Sequence, residues 1–294
     1  MKRSLVLFNK TNIPYLFLFP FIVFFILFRL WPILWSFVIS FFKYNGTNAK
    51  EFVGFGNYVD LVTNQSFRQA TFNTIFFVVV YNVIMIALAL VLAVLLSSSF
   101  VKFKRTYRSI YFIPIAMSLP VVAIVFDLIF ARNVGLIAAF YDMFGLKFDV
   151  RWFNDIDKAK WGIIIMRVWR GAGYYCAYFL AGLAAIPSTV YESAKIDGAG
   201  PIKTFIHITI PSIKPTLLFV VIMSSILSFQ IFEEPWILTG GGPANSTLTL
   251  QIYLYQTSFL EGNLGKGSAV AYIMTMLMMA MSVFYVNKLG EKER

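Results

Sequence analysis

TFNTIFFVVVYNVIMIALALVLAVLL, residues 71–96, is a run of 26 residues without one charged side chain. As a helix rising about 1.5 Å per residue, it is long enough to cross the roughly 30 Å hydrocarbon core of a bilayer, which takes about 20 residues. A soluble core does not need so long an uninterrupted run. Comparable runs lie outward on both sides, at about 13–42, 109–131, 161–183, 216–238 and 264–286. Together they predict an all-α integral membrane protein with six transmembrane helices in a single domain covering 1–294. Composition agrees: 59% of the residues are hydrophobic, 18% aromatic and only 13% charged, against roughly 45–50% apolar in soluble domains. The mean hydropathy is +0.74.

A net charge of +11 raises the possibility of nucleic acid as a partner, and the placement of the basic residues rejects it. With six spans both termini share one side. On that side fall Lys2, Arg3 and Lys10, then Lys102, Lys104, Arg105 and Arg108, then Lys195, Lys203 and Lys214, and finally Lys288, Lys292 and Arg294, thirteen basic residues against four acids. The opposite loops hold Lys43, Lys50, Arg68, Arg132, Lys147, Arg151, Lys158 and Lys160 against seven acids, including Asp149. The positive-inside rule therefore places both termini in the cytoplasm and makes the lipid bilayer the partner of the apolar surface. The first span follows a basic segment but is too long for a signal-peptide core and lacks an A-x-A site, so it is expected to remain in the mature chain. Pro20 and Pro32 in the first span, and Pro114 and Pro120 in the third, predict kinked helices of the kind that line something. The single cysteine, Cys176, cannot form an internal disulfide, and no Cys/His grouping suggests a metal site.

The inner loop IPSTVYESAKIDGAGPIKTFIHITIPSIKP, residues 186–215, is too patterned for a connector. Thr189 and Glu192 have capping-box spacing. Gly198 and Gly200 allow a stop and a turn, Pro201 suits the first position of a second helix, and Pro211 is expected to end it. Ile202, Phe205, Ile206 and Thr209 fall on one stripe. Two cytoplasmic helices joined at a bend of small residues fit either a membrane-surface pair or a docking element whose glycines permit close backbone approach.

The same loop carries Glu192, Ala194, Asp197, Gly198, Ala199, Phe205, Ile208 and Pro211 in the order E-A-A, D-G-A, then a helix ending I-x-L-P, departing only at Ser193 and Ile210. With FVGFGNYVDLV at 52–62 and LTGGGP at 238–243, these residues give a chain that resembles the inner-membrane permease subunits of ABC importers over nearly its whole length. The resemblance is to the carbohydrate-uptake branch, and there to the maltose-type first permease. It implies that the EAA loop, with Pro201 at the head of its second helix, sits in a cleft of an ATPase subunit and transmits nucleotide-driven closure. It also implies two ATPase subunits holding ATP and Mg, a second and different permease, an extracytoplasmic solute-binding protein, and a multi-pass location in the bacterial cytoplasmic membrane. No cofactor is expected on this chain. No G-x-x-x-x-G-K-[ST] stretch occurs, and Gly262–Ser268 has Gly after Lys266 at the mouth of the sixth span, so ATP must be bound elsewhere.

Polar residues inside spans are the candidates for a substrate path. Arg167, Arg170, Gly171, Tyr174 and Tyr178 share one helical face, which fits either a sugar site of rings, polar heads and a close-approach glycine or snorkelling arginines above a tyrosine belt. The resemblance favours the site at Gly171 and Tyr174. It also puts family sugar-contacting positions at Ser224, Ser228 and Ile231, with Ser228 and Ile231 replacing asparagines of maltose-type members. Gln230, Glu233 and Glu234 lie on the other face of the fifth span, followed by Pro235 and Trp236. They are expected at the cavity, with the partner permease as the other destination, and the two glutamates are expected to accept hydrogen bonds from substrate. Asp127 and Arg29 read as interfacial, Asn82 as an interhelical hydrogen bond, His207 as a residue without a metal partner, and Gly265, Gly267, Ser268, Ala269 and Ala271 as a close-packing surface. The leading reading is a non-catalytic permease subunit importing an oligosaccharide. Its alternatives are a glycerol-phosphate or acidic-oligosaccharide permease, for which Arg167 and Arg170 leave room, and an ion-coupled transporter with Glu233 and Glu234 as carriers. A membrane enzyme lacks any nucleophile and base arrangement.

Overall fold

A computed structural model describes residues 13–47, 50–98, 101–146 and 150–290. Lys2, Arg3, Lys10, Lys147, Asp149, Lys292 and Arg294, used above to orient the chain, lie outside the described residues. Among the described residues three helices are long and apolar enough to cross a membrane: Pro14–Ile39, Gln65–Ser97 and Leu264–Lys288. Two bent pairs also qualify when each is counted as one span, Lys104–Ala116 with Leu119–Phe130 and Pro201–Ser212 with Lys214–Phe229. The remaining expected span is a 26-residue helix, Ala159–Ala184, whose apolar run is interrupted by Lys160, Arg167 and Arg170. The chain divides into two compact units, residues 13–63 with 254–273 and residues 64–253 with 274–290.

In the first unit the ladder slips ahead of Pro32: residues Ile26–Leu30 form a π turn in which the Trp31 N–H donates to the Ile26 carbonyl. The missing donor of a proline is thus accommodated by one wide turn. No side chain from Pro14 to Val38 is buried, so this apolar helix presents its rings and branched chains outward, as a lipid-facing helix must. Beyond it, a hairpin pairs Phe42 with Phe52 and Lys43 with Glu51, a small β element in a chain expected to be all-α. Asn57 Nδ2 donates to the carbonyls of Ser40 (2.8 Å) and Phe42 (3.0 Å), fastening that turn to helix Gly56–Thr63. A Cβ on Gly265 would strike the Phe42 carbonyl and one on Gly267 would strike Ser258. The small residues at the head of the last helix therefore serve close packing, as the sequence suggests.

The second unit is organised on a seam. Helix Gln65–Ser97 opens with Asn64, whose Oδ1 accepts from the Phe67 N–H at 3.0 Å, a side-chain N-cap. Along it Phe77, Tyr81, Met85, Ala89 and Ala93, every fourth residue, are buried. They pack with Ile163, Met166, Tyr175 and Phe179 of Ala159–Ala184 in one core. Lipid tails are as apolar as these side chains, so the helices gain from dispersion contacts and hydrogen bonds rather than from expulsion of water. Small residues let them approach. Gly173 lies against the backbone of Tyr111 and Gly182 against Thr216. Asn82 Nδ2 reaches Ser225 Oγ at 3.3 Å, the interhelical hydrogen bond expected of it.

Two expected spans are broken rather than continuous. The third is not one kinked helix: it stops at Ala116, resumes at Leu119 and turns by 98°. The fifth ends at Phe229, and after Gln230–Phe232 a separate helix, Glu233–Thr239, begins. The inner loop forms its two helices, Ser188–Ile196 and a second starting at Pro201. Gly198 takes φ +72°, and the Ala199 N–H donates to Ala194 and the Gly198 N–H to Lys195. This is the Schellman pattern that ends helices at a left-handed glycine. Two details of the reading are corrected. Thr189 does not cap, because Pro187 precedes the first turn without a side-chain cap bond and Thr189 lies inside the helix. Pro211 does not end the second helix, which runs from a π turn at Phe205–Thr209 through Ile210–Ser212.

Replacing Gly173 with leucine forces its helix away from the Tyr111 backbone and should cost about 1–3 kcal/mol, read as a lowered thermal midpoint of the purified protein. Gly200→Ala, with nothing within 4 Å of its Cβ, should leave the midpoint unchanged.

Candidate functional site

A cavity of about 490 Å³ opens within the second unit, lined among others by Tyr81, Arg170, Gly171, Tyr174, Gln230 and Glu233. Its volume falls within the range of about 300–1,000 Å³ usual for small-molecule sites. Four helical elements meet there. Gln65–Ser97 contributes Tyr81, the broken third span Ile115 and Leu119, Ala159–Ala184 its arginines and tyrosines, and the interrupted fifth span Leu227, Gln230, Ile231, Phe232, Glu233 and Glu234.

Arg167 is the buried cation of the site. Its Nη1 donates to Glu234 Oε1 at 3.0 Å, and the two side chains are 12% and 8% exposed. Its Nη2 donates to the Leu227 carbonyl at 3.2 Å, and the guanidinium stands 4.7 Å from the Tyr81 ring centre, within cation–π range. An arginine tied on three sides does not snorkel to headgroups. Arg170 is freer: it touches the Met117 carbonyl, at the break of the third span, at 3.5 Å. The Nε of both arginines is buried without a protein acceptor. Glu233 is exposed at the cavity while Glu234 is buried, so two adjacent carboxylates have different roles. Glu234 is committed to Arg167, which corrects the expectation that both receive substrate hydroxyls.

The aromatic face is present. Tyr174 and Tyr178 share a hydroxyl contact of 2.9 Å, and their rings meet edge to face with centres 5.2 Å apart. Gly171 has a neighbour in place: a Cβ there would stand 2.5 Å from the Tyr81 hydroxyl. Its close approach is therefore to another helix. Ser224, Ser228 and Trp236 do not line the cavity. Both serines are buried and bond the carbonyls of their own helix, Ser224 to Val221 at 3.3 Å and Ser228 to Ser224 at 2.7 Å, while Trp236 stacks on Phe232 at 5.7 Å. The helical-wheel separation of Ile231 from Gln230 fails because the helix has already ended at Phe229, and both line the cavity.

Sequence reasoning missed Tyr81, Tyr175 and Phe232, and it missed Thr249, whose hydroxyl donates to the Ile231 carbonyl at 2.9 Å. Thr249 belongs to a buried stretch, Ser246–Leu250, tied to the first long helix through Asn73 Nδ2, which bonds the Asn245 and Leu248 carbonyls at 2.8 Å each. The signal was NSTLT itself, four polar residues and a leucine at 245–249, two residues after the glycines. The coupling set gathers separately: Glu192, Asp197, Gly198, Pro201 and Pro211 are exposed, Phe205 and Ala199 half-buried, and Ala194 buried beneath the bend. Among the described residues no group of three or more His, Cys, Asp and Glu could hold a metal.

Residues 85–292 match the family model described as binding-protein-dependent transport system inner membrane component. Among curated proteins, the arabinooligosaccharides transport system permease protein AraP of Bacillus subtilis is 34% identical, covering 96% of this chain and 90% of its own. The lactose transport system permease protein LacF of Rhizobium radiobacter is 36% identical over 91% of each chain. Among solved structures, a bacterial ABC transporter involved in import of the acidic polysaccharide alginate superposes with a TM-score of 0.85 at 20% identity, over 96% of both chains, a likeness of fold.

In a chain assembled with its partners, Gly171→Ala should push Tyr81 off its place beside Arg167, lowering the thermal midpoint and the transport rate together. Removing the offending atom with Tyr81→Phe in the same chain should restore most of the midpoint. No recovery would show that the Tyr81 hydroxyl is not the obstacle.

Proposed function

The chain belongs to the binding-protein-dependent transport system inner membrane component family, and from that membership we propose the role it plays in a complete importer. Members of this family are non-catalytic transport components of ABC transporters in the inner membrane. The reading here is a permease subunit with six spans and cytoplasmic termini in a bacterial cytoplasmic membrane. It pairs with a second, different permease, receives substrate from an extracytoplasmic solute-binding protein, and is driven by two ATPase subunits that hold ATP and Mg. The span that completes this count is Ala159–Ala184, fourth in chain order, whose Arg167 is bonded to protein groups.

The substrate proposed is an oligosaccharide, and the observation that carries it is the composition of the cavity. It offers the Tyr174 ring, the Gln230 amide and the Glu233 carboxylate, which suit the apolar faces and hydroxyls of a sugar. The names of AraP and LacF point the same way. A neutral sugar is favoured over an anionic one, because the Arg167 charge is already matched by Glu234 and the remaining cation of the lining, Arg170, shares the cavity with the exposed carboxylate of Glu233.

The ATPase-docking role of the inner loop is supported by its exposed apolar residues: Ile196 and Ile202 are 86% and 75% exposed on either side of the Gly198 bend. Such large side chains in water are unfavourable, and a partner cleft would cover them. Coupling residues proposed here are Glu192, Ala194, Asp197, Gly198, Ala199, Pro201, Phe205 and Pro211.

In proteoliposomes holding the assembled transporter, sugar uptake should require ATP inside and survive a protonophore. Collapse of uptake by the protonophore with ATP held constant would remove the reading. Tyr174→Ala should reduce uptake at least tenfold, about 1.4 kcal/mol of binding or more, with the subunits still co-purifying. Gly198→Leu forces a side chain into φ +72°, at a local cost of roughly 1–2 kcal/mol, and should weaken ATPase co-purification while membrane insertion persists.

A further inference from the structure

Gln230, Ile231 and Phe232 include neither glycine nor proline, but Pro235, in the first turn of the next helix, has no N–H for the Ile231 carbonyl four residues back and its ring crowds that carbonyl, which breaks the ladder there. A proline breaks a helix without fixing how the two halves sit, so their placement is held from outside. Arg167 touches both sides of the break. Before the break its Nη2 takes the Leu227 carbonyl at 3.2 Å and reaches Ser228 Oγ at 3.5 Å. Leu227 is among the last four residues of Lys214–Phe229, whose carbonyls a helix end leaves without an intrahelical partner. After the break, Nη1 holds Glu234 at 3.0 Å in the first turn of Glu233–Thr239. Tyr81 backs the guanidinium from the neighbouring helix.

We propose that Arg167 is a positioning residue: with Glu234 it clasps the two halves of the broken fifth span and so sets the place of Gln230, Ile231 and Glu233 at the cavity wall. The inference rests on the reading of this cavity as the substrate path, but the clasp can be tested without any substrate. A simple packing ion pair is the competing account. Two apolar residues of similar volume often replace a buried pair with no loss of stability, and such a replacement keeps packing while abolishing a clasp. Lysine separates the accounts further, because one ammonium cannot reproduce a planar fork that donates in two directions.

The measurement is hydrogen exchange across residues 226–236 in the transporter purified with its partner subunits, alongside thermal midpoint and sugar uptake in proteoliposomes. Glu233→Gln, adjacent but outside the clasp, is the control for exchange. In Arg167→Met/Glu234→Leu, assembly and midpoint should stay near wild type while protection at 226–236 falls on the order of tenfold and uptake is lost. Arg167→Lys should assemble with an intermediate loss of protection. Wild-type protection and uptake in the apolar pair would overturn the proposal. Should the apolar pair fail to assemble, Arg167→Lys decides: protection equal to wild type, or failure of this variant to assemble as well, would assign the pair to bulk stability. Absence of uptake in the wild type with protection altered as expected would refute the substrate reading and leave the clasp standing.

Discussion

Hydrocarbon offers a peptide carbonyl no hydrogen bond, and the second unit is shaped by that constraint. A helix may stop inside the membrane only where another group accepts the task of water. The fifth span stops at Phe229, and the carbonyls around the stop are met by side chains from elsewhere: Leu227 by Arg167 at 3.2 Å and Ile231 by Thr249 at 2.9 Å. The third span stops at Ala116, and the carbonyl of the following residue, Met117, has Arg170 at 3.5 Å, a longer and weaker contact. One helix, Ala159–Ala184, thus supplies the groups at two interruptions through arginines three residues apart. A positive charge is also electrostatically suited to the carbonyl end of a helix.

The same constraint decides which charges can read a ligand. Arg167 would be prohibitively costly in the interior if left alone, and Glu234 would be too; paired at 3.0 Å and hydrogen-bonded besides, they are tolerable. Bonded to each other and to the Leu227 carbonyl, with only the Arg167 Nε lacking a protein acceptor, they are tied to the broken span rather than presented to a substrate. On the proposed reading of the cavity, recognition passes to groups less constrained: the exposed Glu233, the Gln230 amide, the Tyr174 ring and Arg170. A cavity wall built this way is polar because a helix is interrupted beside it.

The long apolar helices, three among the described residues or five with each bent pair as one span, were legible in the sequence because length and lack of charge are sufficient signals for a bilayer. The Gly198–Pro201 bend was legible because a left-handed glycine and an N1 proline act locally. The breaks were legible only in part. The third span carries Pro114 and Pro120, which predict a kink; the turn falls at Met117 and Ser118, just ahead of Pro120 as a helix-starting proline requires, but its size, 98°, does not follow from the proline. The fifth has no glycine or proline within Gln230–Phe232, and its signal, Pro235, acts four residues back on the Ile231 carbonyl, so helical-wheel reasoning continued past the real end and split Ile231 from Gln230. Ser224 and Ser228 were placed on a helix correctly, but their hydroxyls turn back onto that helix, a habit of serine in apolar surroundings that spacing does not reveal. Thr189 with Glu192 has the spacing of a capping box two residues past the cap position, Pro187, inside a helix that begins at Ser188.

The inner loop is bounded on both sides by the helices that build the cavity. Ala159–Ala184 carries Arg167, Arg170, Gly171 and Tyr174 and ends four residues before Ser188–Ile196 begins. Lys214–Phe229 leaves the loop two residues after Ser212 and runs 16 residues, roughly 24 Å at the helical rise, to the break at Gln230. A force applied by a partner to the loop therefore has two stiff routes to the cavity, and they converge on one contact, Arg167 with Leu227 and Glu234. Packing along both routes is close, with Gly182 set against Thr216 near the loop end, so the two helices cannot slide independently there without a clash. Displacement entering at the loop must then appear mainly where the second route is interrupted. The part of the path without a continuous backbone ladder is the three-residue break that lines the cavity, where the contacts of Arg167 and Thr249 hold the two halves together.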